Sequence, residues 1–227
     1  IPTVLRGVLL MGAELTDDES AYRFQAELLA SGRLYAESSR FPLFFDRIFM
    51  VNDGRHYAQY FLGWPALMVP GIWLGVEQSM NAVYSAATIP ALFLVLRRLA
   101  GSRWAVLGGA LYLLSPMIQV GAATMMSHPT CLAALAWTLW FTLRARDEDA
   151  PLWAHAGVAA AFSVAFFIRP VPAIGVGLPF LLVWAAGLLR ISAGRRALGR
   201  APGHVKLVAA VGRDKLALGR IPRNGAV

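Results

Sequence analysis

Cysteine is almost missing from this chain: Cys131 is the only one among 227 residues. A single thiol excludes an internal disulfide and any cysteine-built metal centre within one chain. Charge is scarce as well, at 15% of residues, against 57% hydrophobic residues, seven Trp and a mean hydropathy of +0.55. That balance excludes an ordinary soluble domain. Asp, Glu, Lys and Arg are absent from 56–76, 78–96, 104–143, 150–168 and 170–189. Crossing about 30 Å of hydrocarbon takes roughly 20 helical residues, so 104–143 holds two passes and each other stretch at most one. The period-2 alternation of a barrel strand is also missing, which leaves helices as the spanning elements. The predicted fold is all-α: a polytopic transmembrane helical bundle with a structured, partly helical first outer loop.

The formal charge of +8 and pI near 10.4 do not describe the whole chain. From Arg190 onward there are nine basic residues and one acidic residue, Asp214, so the tail alone carries the excess. The remainder is neutral. No nucleic-acid partner is expected, because the basic excess is the flank of a hydrophobic helix; contact of the tail with anionic membrane lipids is secondary.

Arginines set the topology. Arg97, Arg98 and Arg103 separate one helix pair, Arg144 and Arg146 the next, and Arg190, Arg195, Arg196 and Arg200 follow the last. By the positive-inside rule these loops are cytoplasmic, which places 14–53 on the outer face. The expected order is then a remnant of a first transmembrane helix over 1–13 and an outer loop with amphipathic helices over 14–62. An interfacial or re-entrant helix over 63–76 and spans at 78–96, 104–122, 127–143, 152–168 and 171–189 follow. A basic cytoplasmic tail occupies 190–227. The start at Ile1 without Met, and a tail without apolar period, fit a piece of a longer, truncated or frameshifted reading frame. Trp64 and Trp73 suit an interfacial depth, as do Tyr57 and Tyr60.

What charge the chain has is concentrated: eight of its 13 acidic residues lie between Glu14 and Asp53. At the head of that region stands Thr16-Asp17-Asp18-Glu19. Thr16 as N-cap and Glu19 three residues on match a capping box, and acidic residues in a first turn complement the helix dipole. The helix is expected to run to about Ala30, with Ser31-Gly32 as its stop signal, a less regular piece over 41–49 and a turn at Asp53-Gly54. Capping accounts for one or two of the three carboxylates. Ionisable residues at membrane depth are candidates for function, so capping and chemistry stand evenly on residue type alone.

The ordered motifs carry a resemblance. Asp17-Asp18-Glu19 is followed by Tyr22-x-x-Gln25-Ala26-Glu27, Gly32-Arg33-Leu34-Tyr35, Gly54-Arg55-His56-Tyr57-x-Gln59-Tyr60 and Gly63-Trp64-Pro65. Farther on come Leu114-Ser115-Pro116, Ser127-His128-Pro129 and Arg169-Pro170. This series resembles the N-terminal half of GT-C-type membrane glycosyltransferases, the group of the protein O-mannosyltransferases and the aminoarabinose transferase of lipid A. The resemblance implies transfer of a hexosyl or pentosyl group from a polyprenyl-phosphate donor to a lipid, glycan or protein acceptor. It places the reaction at the outward face of the bacterial plasma (inner) membrane. It further implies an acidic residue of the first outer loop at the reaction centre, Asp18, with Glu19 the alternative. An acceptor hydroxyl must lose a proton as it attacks the anomeric carbon, which a positioned carboxylate can take.

Arg169 is the candidate for the donor phosphate, because a guanidinium grips phosphate oxygens bidentately and Pro170 and Pro172 should break the helix beside it. Its alternative is an arginine snorkelling to headgroups. His56, Tyr57, Tyr60 and His128 complete the substrate-binding candidates. No cofactor is expected. A divalent cation, if used, would draw on Asp17, Asp18, Glu19, His56 and His128, although no metal-ligand spacing occurs among them. Two other classes stay open: a transporter or flippase component, which would carry ionisable residues at mid-membrane on several helices, and a non-catalytic subunit or inactive fragment in which Asp18 is only a cap.

Overall fold

The computed structural model describes residues 1–200 other than Leu9, Pro42, Leu43, Phe45 and Glu148, with side chains as far as Leu189. The part of the basic tail after Arg200, and three positions of the irregular 41–49 segment, lie outside the described residues. The chain divides into two compact units, Ile1–Leu181 and Leu182–Val227. Everything that follows on the site concerns the first.

The all-α expectation holds. A short helix α1 (Pro2–Val8) precedes α2 (Asp17–Ala30). Thr16 is the N-cap, extended at φ −141° and ψ 154°, but its hydroxyl makes no capping bond. Instead it meets Met126 Sδ at 3.6 Å. Glu19 turns inward, so the reciprocal capping box expected there is not formed; a buried arginine, described below, draws the carboxylate away. The helix stops where expected, with Ser31 as C-cap and Gly32 at φ +74°, a conformation that a β-carbon disfavours.

The second half of the loop forms a small antiparallel sheet that the sequence pattern did not reveal. Its strands β1 (Ala36–Glu37), β2 (Met50–Asn52) and β3 (Arg55–Ala58) lie in the order β1-β3-β2. Met50 pairs with Ala58 and Asn52 with His56, so the chain reverses around Asp53-Gly54 as anticipated, with Gly54 at φ +70°. Gln25 of α2, buried, clips the sheet to the helix: its Oε1 accepts from Ala58 N at 2.9 Å and its Nε2 donates to Leu34 O at 2.9 Å.

Helix α3 (Gly63–Leu74) packs along α2 and against the end of α9. A lipid-facing role for Trp64 is corrected here. Its ring is fully buried, edge-on to Tyr84, and its Nε1 donates to Met125 O at 2.7 Å, because this indole caps a loop carbonyl rather than a headgroup. Trp73 is 70% exposed, and its Nε1 donates to Ala30 O at 3.2 Å. Gly63 permits the tight approach to α9: a β-carbon there would lie 2.3 Å from the carbonyl carbon of Phe167.

The apolar region then runs through α4 (Met80–Ala86), α5 (Thr88–Ala100), α6 (Ser102–Leu114), α7 (Pro116–Ala123), α8 (His128–Arg144) and α9 (Leu152–Ile168). After α10 (Pro170–Pro172) a π-type turn, Ala173–Gly177, leads into α11 (Leu178–Arg200). Among the described residues two helices are long and apolar enough to cross a membrane, Glu77–Ala100 and Pro170–Leu189. The stretch expected as one span over 104–122 is a pair, α6 and α7, bent by 56° at Ser115-Pro116 and able to count as a third. Proline there lacks the amide that would continue the helix. Leu152–Ile168 is apolar but shorter. Small residues let α8 pack closely: a β-carbon on Gly157 would lie 2.5 Å from the Phe141 ring. Beyond the C-terminal end of α8, Asp147 accepts from Arg98 and from Arg144 Nη1, the latter at 2.6 Å.

Candidate active site

The three clustered carboxylates have three different fates. Asp17 is exposed in the first turn of α2, the placement that favours the helix dipole. Glu19 is fully buried and ion-paired with Arg6 of α1, which is 3% exposed; Arg6 Nη1 lies 3.2 Å from Glu19 Oε2. Arg6 Nη1 also donates to Ala123 O at 2.9 Å and its Nε to Gln78 Oε1 at 3.2 Å. The Glu19 carboxylate accepts from Leu15 N at 3.2 Å and Met125 N at 2.9 Å. One buried ion pair thus ties α1, the start of α2 and the α7–α8 loop together. Arg6 was missed in the sequence, although an arginine inside an apolar N-terminal run was a visible signal.

Asp18 points the other way, half-buried, into a cavity of about 460 Å³. Around it stand Tyr22, Phe49, Tyr60, Met126, His128 and Arg169. That size falls within the range of small-molecule sites. Tyr60 OH donates to Asp18 Oδ1, and among the described residues Tyr60 is the only side-chain hydrogen-bond partner of the Asp18 carboxylate. Burial, together with the bond to Asp18, pushes the Tyr60 hydroxyl well above its usual range, so it remains a neutral donor. The Tyr60 ring lies 4.5 Å from that of Tyr22 and 5.5 Å from that of Phe49. Phe49 has φ +71°, a left-handed conformation costly for a non-glycine residue. Nothing in the sequence pattern marked it as a cavity wall.

The opposite wall is built by Arg169. Helix α9 ends at Ile168, Arg169 is extended at φ −149°, and Pro170 opens the next turn, the helix break expected there. Its Nη1 lies 3.3 Å from Ser127 Oγ and 2.6 Å from His128 Nε2. The Ser127 hydroxyl is fully buried and shares a 3.1 Å hydrogen bond with Tyr22 OH. Burial raises Tyr22 above the usual tyrosine range, while its bond to Ser127 and the nearby Arg169 charge pull the other way. Asp18 and Tyr60 are thereby linked, through the tilted ring contact of Tyr60 with Tyr22, to Ser127, Arg169 and His128.

Asp18, Tyr60, His128 and Arg169 therefore share one cavity. His56 and Tyr57 are not among its walls: Tyr57 is exposed on β3, and His56 packs 4.8 Å from the Phe24 ring, its Nε2 buried without a partner. Burial, reinforced by Arg47, lowers the His56 pKa from its usual value. Among the described residues no group of three or more His, Cys, Asp or Glu is arranged to hold a metal ion.

Residues 78–211, more than half of the chain, match the family model described as dolichyl-phosphate-mannose-protein mannosyltransferase. The match takes in Ser127, His128 and Arg169, whereas Asp18, Tyr22 and Tyr60 precede it. No curated protein and no solved structure matches the chain. The chain belongs to the dolichyl-phosphate-mannose-protein mannosyltransferase family, a family of membrane glycosyltransferases.

Proposed function

We propose that this member of the mannosyltransferase family moves a sugar from a polyprenyl-phosphate carrier to an acceptor hydroxyl, at the outer face of the membrane that it spans. The observation that carries the reading is the cavity in which Asp18 stands on one wall and Arg169 on another. Asp18 takes the proton of the acceptor hydroxyl as that oxygen attacks the anomeric carbon. Tyr60 occupies one carboxylate oxygen and holds the group in place, leaving the other for the acceptor. The bond from the anomeric carbon to the phosphate oxygen breaks, and the carrier phosphate leaves with its electron pair. Arg169 stabilises the charge that grows on it, as preorganised cations do for departing phosphates.

A lipid donor needs a path for its tail. An apolar groove of about 560 Å³ runs along α7 and α8, lined by Met117, Ile118, Val120 and Leu132, and shares Met126 and His128 with the cavity. A prenyl chain lying there would bring its phosphate to Arg169. Five crossings, with the loop of 14–62 outward and the Arg98, Arg144 and Asp147 cluster inward, fit the arginine distribution. Mannose is the first sugar to test, given the family description. Lipid, glycan and protein acceptors all offer the hydroxyl required.

Membrane vesicles holding the full chain and a radiolabelled polyprenyl-phosphate mannose test this. Label recovered on a non-prenyl acceptor supports transfer. Label that stays on the prenyl carrier and only changes leaflet would overturn it in favour of lipid transport.

A further inference from the structure

We infer that His128 is a positioning residue for the donor phosphate, acting through Arg169 as a neutral imidazole with its proton on Nδ1. The inference rests on the reading of Arg169 given above, and deepens it.

The geometry is restrictive. A guanidinium has five N–H donors and no acceptor, so at 2.6 Å from Arg169 Nη1 the His128 Nε2 must accept. An imidazole that accepts at Nε2 and is neutral carries its hydrogen on Nδ1. The same Nη1 also donates to Ser127 Oγ at 3.3 Å. Both Nη1 hydrogens are then used within the protein. The Nε and Nη2 hydrogens remain, and they form the edge of the fork that meets two oxygens of one phosphate in parallel.

The surroundings suit this division of labour. Ser127 is fully buried and held from its other side by Tyr22, so it fixes one Nη1 hydrogen rigidly. His128 is exposed at the rim, in the first turn of α8, where Pro129 holds the backbone. Close packing of Gly63 against Phe167 and Ile168 fixes the backbone that leads into Arg169. With both its backbone and one guanidinium nitrogen held, Arg169 would lose little conformational freedom on binding phosphate, which favours affinity.

The test measures binding of farnesyl phosphate, which carries no sugar, to the full chain in detergent micelles, alongside thermal stability. His128→Ala should weaken binding about tenfold, the scale of one hydrogen bond to a charged group, with the melting temperature unchanged. His128→Gln places a carbonyl oxygen near the position of Nε2 and should restore most of the affinity. Ser127→Ala should weaken binding in the same direction. Wild-type affinity in His128→Ala, or a Gln variant as weak as the Ala variant, overturns the inference. Arg169→Ala separates the two levels: if it binds farnesyl phosphate like the wild type, the phosphate reading itself falls. If it binds weakly while His128→Ala binds normally, only the role of His128 falls.

Discussion

Replacing Glu19 by Gln should destabilise the protein without abolishing its chemistry. The carboxylate is fully buried and its partner Arg6 is 3% exposed, so the pair lies beyond the reach of solvent screening. Removing one charge leaves the other buried and uncompensated, a change that costs about 3–5 kcal/mol in buried pairs generally. Glutamine keeps one carbonyl oxygen, which can still accept from either Leu15 N or Met125 N, and this places the expectation at the lower end, about 3 kcal/mol. For a chain of this size about 2–4 °C of melting temperature accompanies each kcal/mol, so the shift should be roughly 6–12 °C downward. The assay is thermal unfolding in detergent followed by tryptophan fluorescence, with transfer activity measured well below the melting point. Arg6→Leu combined with Glu19→Leu should recover much of the loss, because an apolar pair removes the need for compensation. An unchanged melting temperature in Glu19→Gln would show that the buried pair with Arg6 does not hold the fold together. Loss of transfer at unchanged stability would move the chemistry from Asp18 to Glu19.

Tyr60→Phe removes the donor to Asp18 and should lower kcat by roughly 10- to 100-fold with the donor KM little changed, checked by steady-state kinetics. Because its raised pKa keeps Tyr60 protonated beyond the ordinary tyrosine range, the wild-type pH profile should show no alkaline decline from this group below about pH 10. Gly63→Ala forces a β-carbon against the Phe167 carbonyl and should cost about 1–3 kcal/mol, seen as a lower melting temperature together with weaker donor binding as Arg169 shifts.

Local signals survived into the structure well. The α2 start after Thr16 and its stop at Gly32 follow from cap and turn chemistry, which depends on a few adjacent residues. The edges of α8 and α9 were legible because Arg144 and Arg169 interrupt the apolar run there. Long-range pairing was not. Glu19 reads as a capping residue until Arg6 is brought onto it, and Trp64 reads as a membrane anchor until its indole reaches Met125 O. The sheet escaped notice because its strands are two to four residues long, too short for a period of two to stand out in the sequence. His56 and Tyr57 were grouped with Tyr60, yet both lie on β3, and of the three only Tyr60, past the end of the strand, lines the cavity. Asp18 and Arg169 lie far apart in the chain, and only the meeting of α2 with the end of α9 through α3 brings them to one cavity.

Asp18, alone of the clustered carboxylates, is the residue proposed to do the chemistry. Its direct test is the transfer rate of Asp18→Asn from a labelled polyprenyl-phosphate mannose, with farnesyl phosphate binding and melting temperature measured on the same preparation. The expected rate is lower by about 10²- to 10⁴-fold, the usual contribution of a general base, with binding and stability intact. A wild-type rate in Asp18→Asn would contradict that role.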